Sequence, residues 1–206
     1  MCHRVSPEDV LSICVGKLHI PVSVVMVLGA SVAWAQNAAP VDESGLGYRI
    51  EIGLHERLVR ARASEGVRLA PFTSDGCSGG QSTGWDLLAR TFPEMARRHG
   101  NLPPWQQCCI VHDRAYHAGG GRQSDAKASY AARRHADEQL RRCVVRTGKG
   151  RAAELMSDYG LGREQVSTLY RSIADVMYRA VRVGGAPCTG LPWRWGFGWP
   201  GCDKSD

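Results

Sequence analysis

Along the chain the apolar positions recur mostly with the period of an α-helix. Ile50, Leu54, Leu58 and Ala61 fall at helical spacing with Arg57, Arg60 and Arg62 between them, which predicts an amphipathic helix over 49–64. A weaker helical pattern over 85–99 (Leu88, Phe92, Met95) is interrupted by Pro93. Pro103-Pro104 opens the next helix, since proline is tolerated in a first turn, and Gly119-Gly120-Gly121 stops it after about His117. Ser124 is the expected N-cap of a long helix over 125–146, ended by Gly148 and Gly150. Two more helices are expected over 151–158 and 163–183. The second carries Val166, Leu169, Tyr170, Ile173, Val176, Met177 and Ala180 on one face. Residues 72–84 are rich in Gly, Ser, Thr and Asp and read as loop, and the tail from Gly184 is a Pro/Gly/Trp loop. No strand longer than a short hairpin is expected, and no internal repeat is visible. The fold class is mostly α.

The N-terminus reads differently. Ile20 to Trp34 is an almost unbroken apolar run preceded by Lys17 and His19, and it ends Ala33-Trp34-Ala35. A charged lead, an apolar run of about 15 residues and an A-x-A site are the pattern of a cleaved export signal. A membrane-spanning helix would need about 20 apolar residues. The expected organisation is a signal peptide over 1–35 and one domain over 36–206, secreted or periplasmic after cleavage near Ala35. Of eight cysteines, Cys2 and Cys14 leave with the signal. Cys77, Cys108, Cys109, Cys143, Cys188 and Cys202 remain, an even set that reads as three disulfides in an exported protein.

Composition narrows the class further. A hydrophobic content of 43% argues against disorder and collagen-like repeats. The net charge of +6 is unchanged by cleavage, because Arg4 and Lys17 are balanced by Glu8 and Asp9. The basic residues are spread along the chain, so no nucleic-acid-binding tail is indicated. The charge suits an anionic surface such as phospholipid.

The chemistry concentrates in Cys108-Cys109-Ile110-Val111-His112-Asp113-Arg114-Ala115-Tyr116. Adjacent cysteines on a helix point about 100° apart, so they reach two different elements. Cys108, His112 and Tyr116 share one face at intervals of four, and Cys109 and Asp113 share the next. On the second long helix Tyr130, Asp137, Leu140, Cys143 and Val144 share a stripe, which puts the Asp137 carboxylate on the core side, where it requires a partner. If Cys108 and Cys143 are bridged across antiparallel helices, His112 lies about 6 Å and Asp137 about 9 Å along from the bridge in the same direction. The two become a His–Asp couple in which the carboxylate fixes the imidazole tautomer. Cys77, in the loop Asp75-Gly76-Cys77-Ser78-Gly79-Gly80, is the expected partner of Cys109. That bridge would bring loop carbonyls beside Asp113, a set of hard oxygens suited to Ca2+. Two other uses of the cluster are weaker: a zinc site of Cys108, Cys109 and His112, and a Cys108–His112 nucleophile. His55, His99, His117 and His135 are expected to be solvated or packed, and Arg133, Arg134, Arg141 and Arg142 to lie on solvated faces. In the tail, Trp193, Trp195 and Trp199 beside Arg194 have the composition of a membrane-interface contact, but packing of the rings inside a Cys188–Cys202 loop is the favoured expectation.

Cys-Cys-x-x-His-Asp-x-x-Tyr, followed by Asp137 six residues before Cys143 and preceded by a Gly-Cys loop, resembles secreted phospholipase A2, over about residues 72–146, with a helical C-terminal part over 151–206 beyond it. The resemblance implies a disulfide-stapled phospholipase A2-like fold with two long antiparallel helices carrying the His–Asp couple. It implies calcium-dependent hydrolysis of the sn-2 ester of glycerophospholipids at a membrane surface or on aggregated lipid. His112 would be the general base, Asp137 its orienting carboxylate and Tyr116 the support of the couple. Asp113 would bind Ca2+ with carbonyls of Gly76, Ser78 and Gly80. The family commonly has a further bridge between the residue before the Tyr and the residue before the second-helix Asp. Here those positions are Ala115 and Ala136, so both partners are missing together. The alternative is the same scaffold as a non-catalytic module binding calcium, lipid or protein. Retention of both His112 and Asp113 favours the enzyme.

Overall fold

Five α-helices make up most of the described part of the computed structural model, which covers residues 45–78, 97, 102–122 and 124–202. The expected signal peptide, the helix expected over 85–99 apart from Arg97, Gly80 and His99 lie outside it. There is no strand among the described residues. We label the helices α1 (Leu46–Ala63), α2 (Gln106–Ala118), α3 (Ala126–Gly150), α4 (Ala152–Tyr159) and α5 (Arg163–Gly184). A single 3-10 turn at Gly76–Ser78 packs on α2.

The longest helix, α3, is the centre of the arrangement, with α1, α2 and α5 all packed against it. Its N-cap is Asp125, whose side chain accepts from the Ala128 N–H at 2.7 Å. Ser124, expected in that role, instead donates its hydroxyl to the Gly121 carbonyl and receives Arg62. Nor does α3 stop at Gly148. That glycine is buried inside the helix where a Cβ would collide with the Tyr170 ring, so it is there to let α5 approach.

The face buried by α1 is His55, Leu58, Ala61 and Arg62, which keeps the expected Leu58 and Ala61, whereas Ile50 is 58% exposed. Arg62, expected on the polar side, is fully buried because its guanidinium reaches the carbonyls of Gly119 at 2.6 Å and Ser124 at 2.9 Å. On α5 the buried positions are Val166, Tyr170, Ala174 and Met177. Leu169 and Val176, expected on the same face, are largely exposed.

Three disulfides hold these elements: Cys77–Cys109, Cys108–Cys143 and Cys188–Cys202, with Cα–Cα separations of 5.2, 5.7 and 5.3 Å. All are within the range a bridge spans without backbone movement. The first two sit in a core of Leu140, Val144, Leu155, Val166, Tyr170, Ala174 and Met177, and a second core gathers Leu58, Tyr116, Ala136, Trp195 and Trp199.

The tail packs inward, as expected, and completes the end of α2. Helix C-termini leave carbonyls unpaired. Here the Gly196 N–H donates to Tyr116 O at 2.6 Å, the Gly198 N–H to His117 O, and the Trp199 indole to Ala118 O at 3.0 Å. Gly119 closes the helix with φ 59°, a conformation that favours glycine, and its α-carbon lies too close to Gly196 for a side chain. Trp195 and Trp199 are buried, but Trp193 stays 43% exposed.

Candidate functional site

The Cys108–Cys143 bridge and the contacts beyond it run antiparallel: residues 108, 112 and 116 of α2 meet 143, 137 and 133 of α3. His112 and Asp137 are thereby brought together. His112 Nε2 lies 2.9 Å from Asp137 Oδ1, with His112 7% exposed and Asp137 fully buried. A carboxylate only accepts, so Nε2 carries the proton and donates it. The free base position is then Nδ1, which makes no hydrogen bond to another described residue. Tyr116 donates its hydroxyl to the same Oδ1 at 2.7 Å, and its ring lies 4.1 Å from the imidazole, centroid to centroid. Burial and the adjacent Asp137 charge push the Tyr116 phenol well above its usual range, so it remains a donor.

Three further charged groups close around Asp137. Arg182, from the end of α5, donates to Oδ2 at 3.1 Å and to Glu51 Oε2 at 2.7 Å. Arg133, expected on a solvated face, is fully buried. It pairs with Glu51 Oε1, donates to the Tyr116 oxygen at 3.2 Å and reaches the Val181 and Arg182 carbonyls at the end of α5. Burial works against the charge of Arg182, but Glu51 and Asp137 outweigh it and hold the guanidinium above its ordinary value. Burial likewise opposes Glu51, yet its contacts with His55, Arg133 and Arg182 leave the carboxyl lowered. None of Glu51, Arg133 or Arg182 stood out in the sequence. The signal available was the spacing of Arg133 four residues before Asp137, on its face of α3.

The Cys77–Cys109 bridge sets the loop against α2 as expected. Asp113 accepts from the Ser74 hydroxyl at 2.6 Å, and that oxygen in turn accepts from the Gly76 N–H at 3.0 Å. Gly76 has φ 69°, and a Cβ there would strike the Gln106 side chain. Burial, with Asp75 close by, raises the Asp113 carboxyl above its usual value despite the Ser74 bond and the nearness of His112. No Lys or Arg among the described residues pairs with it. His112, Asp113, Tyr116, Asp75, Gly76 and Trp193 line one cleft of about 50 Å3, room for a few waters. His112 also lines a second hollow of about 350 Å3 between α2 and α3, where Ala115 and Ala136 leave space.

With Cys108 and Cys109 both in disulfides, the zinc and cysteine-nucleophile uses of the cluster are excluded. Among the described residues no three His, Cys, Asp or Glu side chains converge as a metal-binding group. A cation beside Asp113 would draw most of its shell from backbone oxygens and water. A Ser–His–acid contact elsewhere among the described residues, Ser129–His55–Glu51, has its serine and histidine fully buried, and Ser129 is engaged by Trp195 and Gly119, so it serves packing.

Compared with protein-family models, curated proteins and solved structures, the chain matches none of them. What its geometry establishes is a small, disulfide-rich, mostly helical domain whose buried His112–Asp137 pair borders a cleft.

Proposed function

We propose that the chain is an exported, phospholipase A2-like hydrolase that cleaves the sn-2 ester of glycerophospholipids with the help of calcium. The observation that carries the reading is the His112–Asp137 pair on bridged antiparallel helices, with His112 lining the cleft, its Nδ1 making no hydrogen bond to another described residue, and Asp113 one position on. His112 Nδ1 takes a proton from a water in the cleft as that water attacks the ester carbonyl, and later passes it to the departing alkoxide. Asp137 keeps the imidazole in the productive tautomer and steadies its charged form, and Tyr116 holds Asp137. No covalent enzyme intermediate is needed.

The residues present are compatible with calcium. Asp113 is a half-buried carboxylate with which no Lys or Arg among the described residues pairs, next to Asp75 and the turn at Gly76. Asp113 with backbone oxygens of Gly76, Ser78 and Gly80 would hold the ion, which when bound supplies Lewis-acid polarisation of the ester carbonyl. Three disulfides suit an oxidising compartment, and the +6 charge suits an anionic lipid surface.

The test uses the oxidised protein with mixed phosphatidylcholine and phosphatidylglycerol vesicles. Fatty-acid release is expected with calcium, and loss of at least about a thousandfold is expected on chelation or in His112→Gln. Binding without release by the wild type would establish the non-catalytic alternative. Release that survives His112→Gln would remove His112 as the base.

A further inference from the structure

We propose that Arg182, braced by Glu51, is the positioning residue that fixes the Asp137 carboxylate against His112. Both oxygens of Asp137 are occupied. Oδ1 takes the His112 and Tyr116 protons, and Oδ2 takes Arg182 at 3.1 Å. A carboxylate held at one oxygen only is free to swing about its Cβ–Cγ bond; a donor on each oxygen fixes its plane. Asp137 is fully buried, so no bulk water replaces a missing donor.

Arg182 is itself held. Its second nitrogen reaches Glu51, whose other oxygen pairs with Arg133, and Arg133 donates to the Tyr116 oxygen. The contacts form a closed ring: Asp137, Arg182, Glu51, Arg133, Tyr116 and back to Asp137. The ring contains two carboxylates and two guanidiniums, so it is neutral, the condition under which buried charges are tolerated. Glu51 has a specific task in it. Without Glu51, two guanidiniums would face Asp137 alone and draw its charge away from His112. The ring also ties the couple on α2 and α3 to α1 and α5.

The inference rests on reading His112 as the general base, but its first readout does not. The proton on His112 Nε2, buried against Asp137, is observable as a downfield imidazole resonance. Its position and exchange broadening are compared in wild type, Arg182→Gln, Arg182→Lys and Glu51→Gln, with a thermal melt for each. Arg182→Gln and Glu51→Gln are expected to shift or broaden the resonance, and Arg182→Lys to restore it in part. The same order is expected in kcat for fatty-acid release, with Arg182→Gln lower by about tenfold or more and KM unchanged. A resonance identical to wild type in Arg182→Gln overturns the inference, as does a melting change with kcat intact. Should Arg182→Gln fail to fold, an unchanged resonance in both Glu51→Gln and Arg182→Lys overturns it equally. A wild type that releases no fatty acid sinks the hydrolase reading and leaves the resonance comparison standing.

Discussion

At the scale of single residues, the site turns on how Asp137 is satisfied. Tyr116 supplies one of the two bonds to Oδ1, so Tyr116→Phe removes a buried donor while leaving its ring against His112 and Trp195. The expected cost is about 1 to 3 kcal/mol of stability, with a fall in rate smaller than that of His112→Gln. Denaturant unfolding and initial-rate assays check both; an unchanged midpoint would mean that the hydroxyl is not bonded to Asp137 in solution. His112, Tyr116 and Asp137 were legible in the sequence because spacings of four on one helix, and of six from a bridged cysteine on another, translate directly into position. Glu51, Arg62, Arg133 and Arg182 were not. A charged residue on a helix resembles a solvated one until its partners, here as many as 131 residues apart in the chain, are known. Only Arg133 carries a local mark, its spacing four residues before Asp137.

At the scale of elements, the α2–α3 pair was the most legible part of the fold, since one supposed bridge, Cys108–Cys143, was enough to say which faces meet. The details that escaped depended on tertiary contact: Asp125 rather than Ser124 as cap, and Gly148 as a packing position rather than a stop. Exposed Leu169 and Val176 show the same limit, because periodicity gives a stripe but not how much of it a neighbour covers. The antiparallel register makes a prediction at Ala115 and Ala136. These residues line the same hollow, seven positions along from Cys108 and Cys143 respectively, so they face each other across the pair. Ala115→Cys with Ala136→Cys is therefore expected to form a fourth disulfide. It should raise stability by about 2 to 3 kcal/mol, seen as a higher denaturation midpoint and a mass loss of two hydrogens. Two free thiols in the folded protein would contradict the register.

At the scale of the whole molecule, the ionic ring and its neighbour His55 predict how the fold responds to acid. Burial lowers the His55 value from 6.5, and Glu51 opposes only part of that. A group depressed in the folded state binds its proton more readily when unfolded. His55 therefore makes stability fall as pH drops from about 6.5 towards its folded value. Glu51 is depressed from 4.5, so its contribution is present above that pH and is lost as pH falls through the lower folded value. Asp113 acts in the opposite sense, because its raised carboxyl favours protonation in the fold, and so offsets part of the acid limb. The expected profile from these groups is a gentle decline beginning below about pH 6.5 and a second below about 4.5, measured by urea unfolding at fixed ionic strength. His55→Gln should flatten the first limb at little cost in shape. Glu51→Gln should lower stability at neutral pH, because it leaves Arg133 and Arg182 short of a counter-charge, and should flatten the second limb. A decline below about pH 4.5 that is unchanged in Glu51→Gln would show that the ring is not closed in solution, and that α1 and α5 do not clamp the His112–Asp137 pair.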